Sequence, residues 1–74
     1  MTGLTLYSTP NCTQCVATEK FLEAKGIEYL KVDLSDDSEA LSMVRNLGYT
    51  AAPVVVCGDE HWSGFRPDKL SQVV

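Results

Sequence analysis

Two cysteines separated by two residues stand between segments of different periodicity, and this placement constrains the chain more than any other feature. Cys12 and Cys15 follow a short alternating apolar run and open an amphipathic, helix-like run. The first backbone N–H groups of a helix lack helical partners and carry the positive end of the helix dipole. Both effects favour a thiolate, and a second thiol one turn later can capture the mixed disulfide that the first one forms. The pattern therefore predicts dithiol–disulfide exchange at a strand-to-helix junction.

Composition limits the classes of protein to consider. The chain has 74 residues, of which 45% are hydrophobic, so we expect one small globular domain over residues 1–74. Ten acidic residues against six basic ones give a net charge of −4, which argues against nucleic-acid binding. No apolar run approaches the ~20 residues that span a bilayer, so no membrane association is expected.

The cysteine count and the N-terminal sequence bear on location. Three cysteines are an odd number, which disfavours a secreted disulfide scaffold. The first residues carry no basic segment followed by a long apolar one, as a signal peptide would. We therefore expect a cytoplasmic monomer in which one cysteine pair cycles and the third thiol is spare.

Periodicity and turn residues predict seven elements. They are strands at Leu4–Ser8, 28–34, 54–57 and 60–63, helices from about Cys12 to Lys25 and from Asp36 to Leu47, and a short helix opened by Pro67. The order is βαβαββα. A right-handed crossover makes the first two strands parallel neighbours, and the last two add as an antiparallel hairpin. The fold class is therefore α/β, with a four-stranded mixed sheet of order 2-1-3-4 flanked by three helices.

Three details of this prediction concern which side chains are buried. Ala17, Phe21 and Ala24 form the expected apolar stripe of the first helix, with Leu22 beside it. Leu30, Val32 and Leu34 alternate, which predicts one buried face of the second strand. At the second helix, Asp36 and Glu39 have the spacing of a capping box with Asp as the cap.

Three segments together resemble the NrdH-type redoxins of the thioredoxin superfamily. They are the Cys12–Thr18 segment around the dithiol, Ala52–Val56, and the string Trp-Ser-Gly-Phe-Arg-Pro at residues 62–67. The last is the most specific, because the usual glutaredoxin pattern lacks it. The resemblance covers essentially the whole chain and implies the thioredoxin fold.

The resemblance also implies an electron-transfer function. NrdH-redoxins receive electrons from thioredoxin reductase and pass them to the large subunit of class Ib ribonucleotide reductase. No cofactor would be bound, because the redox group is the Cys12–Cys15 disulfide. The chain lacks a G-x-G-x-x-G motif, so NADPH would be used indirectly, through the reductase.

The roles of Cys12, Cys15 and Pro53 follow from the same resemblance, and those of the other site residues from their positions in the sequence. Cys12 would be the attacking thiol and Cys15 the resolving thiol. The loop residues expected to tune them are Pro10, Asn11, Thr13 and Gln14. The residues expected to dock a substrate are Ala52, Pro53 with a cis peptide bond, Trp62, Ser63, Gly64 and Phe65. Two residues are expected to pin this loop, Pro67 at a helix start and Arg66 by a hydrogen bond directed toward the second helix. Arg66 has a second interpretation, as a surface ion pair that contributes only ~0–1 kcal/mol.

Trp62 and Phe65 each have a second interpretation. Both side chains could cover the small core, and for Phe65 this is the favoured one. Trp62 lies on an edge strand, where an exposed aromatic would mark a docking surface. The sequence leaves both possibilities open for Trp62.

A glutathione-dependent glutaredoxin is the first alternative function. Glutaredoxins hold the amino end of glutathione with acidic residues after a Gly-Gly pair, where this chain has Arg66 and Pro67. A guanidinium repels the glutathione ammonium, and Pro67 has no N–H. Asp68 remains available as an acidic group.

A zinc-binding module is the second alternative. Cys12, Cys15, Cys57 and His61 form a formally complete ligand set. If Pro53 lies beside the dithiol, Cys57 is four strand residues away, or roughly 13 Å. That separation is too large for a shared metal, and we expect no metal site.

Overall fold

The computed structural model describes residues 3–72, and these form seven elements in the predicted order. The elements are β1 (Leu4–Ser8), α1 (Thr13–Ala24), β2 (Leu30–Asp33), α2 (Ser38–Asn46), β3 (Val54–Cys57), β4 (Glu60–Ser63) and α3 (Pro67–Gln72). The bounds of β1, β3 and β4 coincide with the prediction, because turn residues flank each of these strands.

The sheet has the order β2-β1-β3-β4. β1 pairs in parallel with β2 and antiparallel with β3, and β3 and β4 form an antiparallel hairpin. Leu6 at the centre of β1 lies opposite Lys31 on β2 and Val55 on β3. The predicted mixed sheet and thioredoxin fold are confirmed.

Strand alternation divides the core into two clusters on opposite faces of the sheet. One cluster lies between the sheet and helices α1 and α3, and consists of Leu4, Leu6, Leu22, Val55, Trp62 and Leu70. The other lies against α2, and consists of Leu34, Val44 and Val54. Burying a side chain such as Leu6, which has no exposed surface, stabilises the fold by about 1.5–3 kcal/mol.

The buried face of α1 differs from the predicted stripe. Its buried residues are Cys15, Thr18 and Leu22, whereas Ala24 is exposed. Thr18 is polar, so the pattern of apolar residues did not predict its burial. Its hydroxyl donates a 2.9 Å hydrogen bond to the carbonyl oxygen of Gln14, and this satisfies the buried group.

The start of α2 also differs by one residue from the prediction. Asp36 lies in a turn, and the cap is Asp37, whose Oδ1 accepts a 3.0 Å hydrogen bond from the backbone N–H of Ala40. Adjacent aspartates can both serve as caps, so the sequence did not separate them.

β2 is an edge strand with only part of its predicted face buried. Leu34, just beyond the strand, is 6% exposed, but Leu30 is 64% exposed. α2 packs against the end of the sheet that bears Leu34 and Tyr7, and Leu30 lies at the other end. The alternation correctly predicted that these residues share one face of the strand, but not how much of that face α2 covers.

Among residues 3–72, no helix combines the length and the apolar character that crossing a membrane requires.

Candidate active site

Cys12 is the N-cap residue of α1. Its backbone is extended, with φ −101° and ψ 106°, and its Sγ accepts a 3.2 Å hydrogen bond from the backbone N–H of Cys15. The sulfur thus occupies the position where a capping oxygen normally lies. The same N–H and the helix dipole stabilise negative charge on this sulfur once the pair is reduced.

Cys12 and Cys15 form a disulfide, with their Cα atoms 5.2 Å apart. The two cysteines differ in accessibility, because Cys12 is half-buried and Cys15 is only 2% exposed. A partner sulfur can therefore approach Cys12 but not Cys15. This asymmetry is what an attacking and a resolving thiol need.

The loop before Cys12 turns sharply. Asn11 has a φ of 60°, a left-handed conformation that asparagine tolerates better than most residues. Pro10 and Asn11 are both exposed, and they line an open groove beside the disulfide. They shape the approach to Cys12.

The far wall of this groove is charged, which the sequence analysis missed. Lys31 Nζ lies 3.2 Å from Glu19 Oε1, and the groove also contacts both cysteines. Two patterns could have identified the pair. Glu19 lies one helical turn after Cys15, and Lys31 lies opposite Leu6, on the sheet face that α1 covers.

Tyr29 contacts the same glutamate but does not line the groove. Its hydroxyl donates to Glu19 across 3.3 Å and to Glu23 across 3.1 Å. Burial, the hydrogen bond to Glu23 and the charges of both glutamates raise the pKa of Tyr29 to about 12. The phenol therefore remains a neutral donor throughout the physiological range.

Gln14 links the dithiol segment to the loop after β4. Its Oε1 accepts a 3.1 Å hydrogen bond from the backbone N–H of Phe65. Gly64 adopts a φ of 83°, and a Cβ there would lie 3.4 Å from the same Oε1. The N–H of Gly64 donates to the carbonyl oxygen of Pro53 across 2.8 Å. One short loop thus contacts both the dithiol motif and Pro53, whose peptide bond with Ala52 is cis.

Trp62 is buried rather than exposed. It is 4% exposed and belongs to the cluster under α1 and α3, so the interpretation as a core residue is correct and the docking role is corrected. Its strand lies at the sheet edge, but its face is the one that the helices cover. Phe65 packs edge-on against Phe21 with ring centroids 6.3 Å apart, and Ser63 pairs with Val54.

Arg66 forms a surface ion pair with Asp68, and the alternative hydrogen bond toward α2 does not form. Its Nε and Nη2 donate to the two carboxylate oxygens of Asp68 across 3.1 and 3.0 Å. The hydrogen bonds and the charge of Arg66 lower the pKa of Asp68 below its ordinary value, while the same carboxylate raises that of Arg66. Pro67 is the first residue of α3, where its missing N–H costs nothing.

The four ligands of the zinc alternative do not converge. His61 pairs with Val56 and shares its face, whereas Cys57 packs in the cluster on the opposite face. Cys57 also pairs with Leu4, at the end of β1 away from Cys12. Within residues 3–72, no three metal-ligating side chains come close enough to hold an ion.

Comparison with known proteins gives one consistent result. A sequence profile of the glutaredoxin family matches residues 4–62. The glutaredoxin-like protein NrdH of Salmonella typhimurium is 39% identical over 71 residues, covering 96% of this chain and 88% of the relative. That of Lactococcus lactis subsp. cremoris is 34% identical over 70 residues, covering 95% and 97%.

Solved structures agree with the sequence matches. The glutaredoxin-like protein NrdH-redoxin from Escherichia coli, described as having a thioredoxin-like activity profile, superposes with a TM-score of 0.93. It is 35% identical, and the match covers 96% of this chain and 93% of that one. A glutaredoxin from Archaeoglobus fulgidus gives a TM-score of 0.80 at 25% identity, over 99% and 86% of the two chains.

Proposed function

Since this chain belongs to the glutaredoxin family, as one of its NrdH-type redoxins, we propose that it carries electrons from thioredoxin reductase to class Ib ribonucleotide reductase. The coarser activity follows from the family and its Cys12–Cys15 pair: the protein is a thiol–disulfide oxidoreductase. The observation that carries the proposal is the accessible Cys12 sulfur at the N-cap of α1, backed by the buried Cys15.

The reaction begins at Cys12. Its thiolate attacks one sulfur of the partner's disulfide, so that a bond forms to that sulfur while the partner's S–S bond breaks. The other partner sulfur leaves as a thiolate and takes a proton from water. The N–H of Cys15 and the dipole of α1 stabilise the attacking charge.

Cys15 completes the transfer. Its thiolate attacks the Cys12 sulfur, which forms the intramolecular disulfide and releases the partner's second thiol. Two electrons have then passed to the partner. The large subunit of the ribonucleotide reductase is the proposed acceptor, and thioredoxin reductase would return two electrons taken from NADPH.

A protein reductant is favoured over glutathione by the state of Asp68. This acidic side chain follows the segment where glutaredoxins hold the glutathione ammonium, and Arg66 engages both of its oxygens. The ammonium would have to displace that guanidinium and approach its positive charge. The glutaredoxin alternative therefore lacks a free acidic partner at this point.

The other proposed properties are consistent with this function. We place the reaction in the cytoplasm, where thiols are kept reduced, and expect the protein to act as a monomer. No bound cofactor is required, because the disulfide itself stores the two electrons.

Reconstitution tests the proposal. NADPH, thioredoxin reductase, this protein and a class Ib ribonucleotide reductase are combined with a ribonucleotide substrate, and deoxyribonucleotide is measured. Product should depend on this protein and vanish with Cys12→Ser, while Cys57→Ser should behave like the wild type. If Cys12→Ser supports as much product as the wild type, the proposed electron route is wrong.

A further inference from the structure

A hydrogen bond joins the end of α2 to the outermost strand, on the sheet face opposite α1. The Tyr49 hydroxyl and His61 Nδ1 are 2.6 Å apart, and the two rings meet edge to face with centroids 5.6 Å apart. A neutral imidazole whose proton is on Nε2 accepts from the phenol through Nδ1. The geometry therefore combines a short hydrogen bond with an aromatic contact.

Tyr49 is held firmly on its α2 side. Gly48, with a φ of 96°, donates to the carbonyl of Arg45, and the N–H of Tyr49 donates to that of Val44 across 3.1 Å. This is a Schellman motif, which fixes the direction of the chain as it leaves a helix. The Tyr49 ring is half-buried and packs on the α2 cluster.

The segment that follows has little backbone hydrogen bonding of its own. Thr50, Ala51 and Ala52 belong to no helix or strand, and among residues 3–72 they take part in none of the backbone–backbone hydrogen bonds of turns and loops. Backbone hydrogen bonds of turns and loops hold only its two ends, at Tyr49 and at Pro53, whose carbonyl accepts from Gly64, while Ala52 packs on the α2 cluster. His61 pairs with Val56, three residues beyond Pro53, so the Tyr49–His61 bond closes this segment into a ring.

We propose that His61 is a positioning residue: it ties β4 to Tyr49, which α2 anchors, and thereby fixes the 50–53 segment that presents the Ala52 backbone to an extended partner. This inference rests on the proposed function, in which a protein segment docks beside the cis-proline. His61 touches no reacting atom and acts only through Tyr49. Without the Tyr49–His61 hydrogen bond, the segment would have to be ordered at each binding event. This weakens binding but leaves the Cys12 chemistry unchanged.

Single-turnover kinetics tests this positioning role without any reductase. The fully reduced protein is mixed with increasing concentrations of an extended peptide that carries a disulfide, and saturation gives a half-saturation concentration and a maximal rate. Tyr49→Phe and His61→Leu should each raise the half-saturation concentration about 3- to 10-fold, the range expected for one hydrogen bond. The maximal rate and the rate with a small aliphatic disulfide should stay at wild-type values.

The matched variants separate positioning from general damage. The double variant should be no worse than either single one, because both remove the same bond. His61→Asn, whose Oδ1 can take the place of Nδ1, should restore much of the binding, and Glu60→Gln on the same strand should change nothing. Equal losses with the small disulfide, additive effects of the two substitutions or wild-type half-saturation in both single variants would each overturn the proposal.

This test is independent of the proposed electron route. If the wild-type protein reduces the peptide but accepts no electrons from thioredoxin reductase, the proposed route is wrong. The positioning role of His61 can still be measured. Conversely, a Tyr49→Phe variant that turns over with thioredoxin reductase and keeps the wild-type half-saturation concentration for the peptide would refute the positioning role of His61 alone.

Discussion

Gln14 Oε1 accepts a hydrogen bond from the N–H of Phe65 across 3.1 Å, although 51 positions separate the two residues. The contact places the loop after β4 against the dithiol motif. Through Gly64 and Pro53 it also ties the motif to the cis-proline. Of the two residues between the cysteines, Gln14 therefore also holds the neighbouring loop in place.

Gln14→Ala should release this loop. Loss of one such hydrogen bond should lower the free energy of unfolding by about 1 kcal/mol and speed hydrogen exchange at the Phe65 amide. Urea unfolding and amide exchange measure the two effects, with Thr13→Ala as the control on the neighbouring exposed residue. Unchanged protection of the Phe65 amide would show that the contact does not hold the loop.

The unequal exposure of the two cysteines predicts unequal variants. Cys15→Ser should attack a partner disulfide and stop at a stable mixed disulfide, because no resolving thiol remains. Cys12→Ser should form no such adduct, since Cys15 is buried. Mass spectrometry after mixing with a disulfide-bearing protein reads this out, and both variants should carry Cys57→Ser so that the spare thiol contributes nothing. An adduct through Cys15 in the Cys12→Ser variant would contradict the assignment of roles.

The corrected face of α1 makes a paired prediction on stability. Thr18→Lys should destabilise by several kcal/mol, because an ammonium would enter a site with no exposed surface. Ala24→Lys, on the same helix, should change the free energy of unfolding by no more than about 0.5 kcal/mol. Thermal or urea unfolding compares them, and equal effects would mean that the helix is rotated from the orientation described.

Arg66 sets the ionisation of Asp68. The hydrogen bonds and charge of Arg66 hold the pKa of Asp68 below its ordinary value, so the pair stabilises the fold at neutral pH and loses that contribution as the pH falls through the lowered pKa. Arg66→Gln should raise the pKa of Asp68 toward its usual range. Titration of the side-chain carboxyl by carbon NMR measures this shift. Arg45→Gln is the control, and a pKa that is the same in Arg66→Gln and the wild type would show that the pair does not persist in solution.

Much of the fold could be predicted because turn residues punctuate the sequence. β3 and the hairpin are bounded by Pro53 and by Gly58 and Asp59, and these strands begin and end where predicted. The dithiol at the start of α1 was equally clear. Local chemistry determines each of these features.

The remaining features depend on tertiary contacts that a sequence pattern does not contain. Trp62 is buried because two helices cover its face, and Leu30 is exposed because α2 covers only part of the opposite one. Arg66 pairs with Asp68, two residues away, and not with α2. The contacts of Gln14 and Tyr49 join segments that only the folded chain brings together.

The most direct test of the central claim is NADPH oxidation by the purified protein with a disulfide substrate, in two parallel reactions. One contains thioredoxin reductase, and the other contains glutathione and glutathione reductase. We predict turnover with thioredoxin reductase and none above background with glutathione, with Cys12→Ser inactive in both. Turnover with glutathione alone would contradict the account and identify a glutathione-dependent glutaredoxin in which Arg66 yields Asp68 to the ligand.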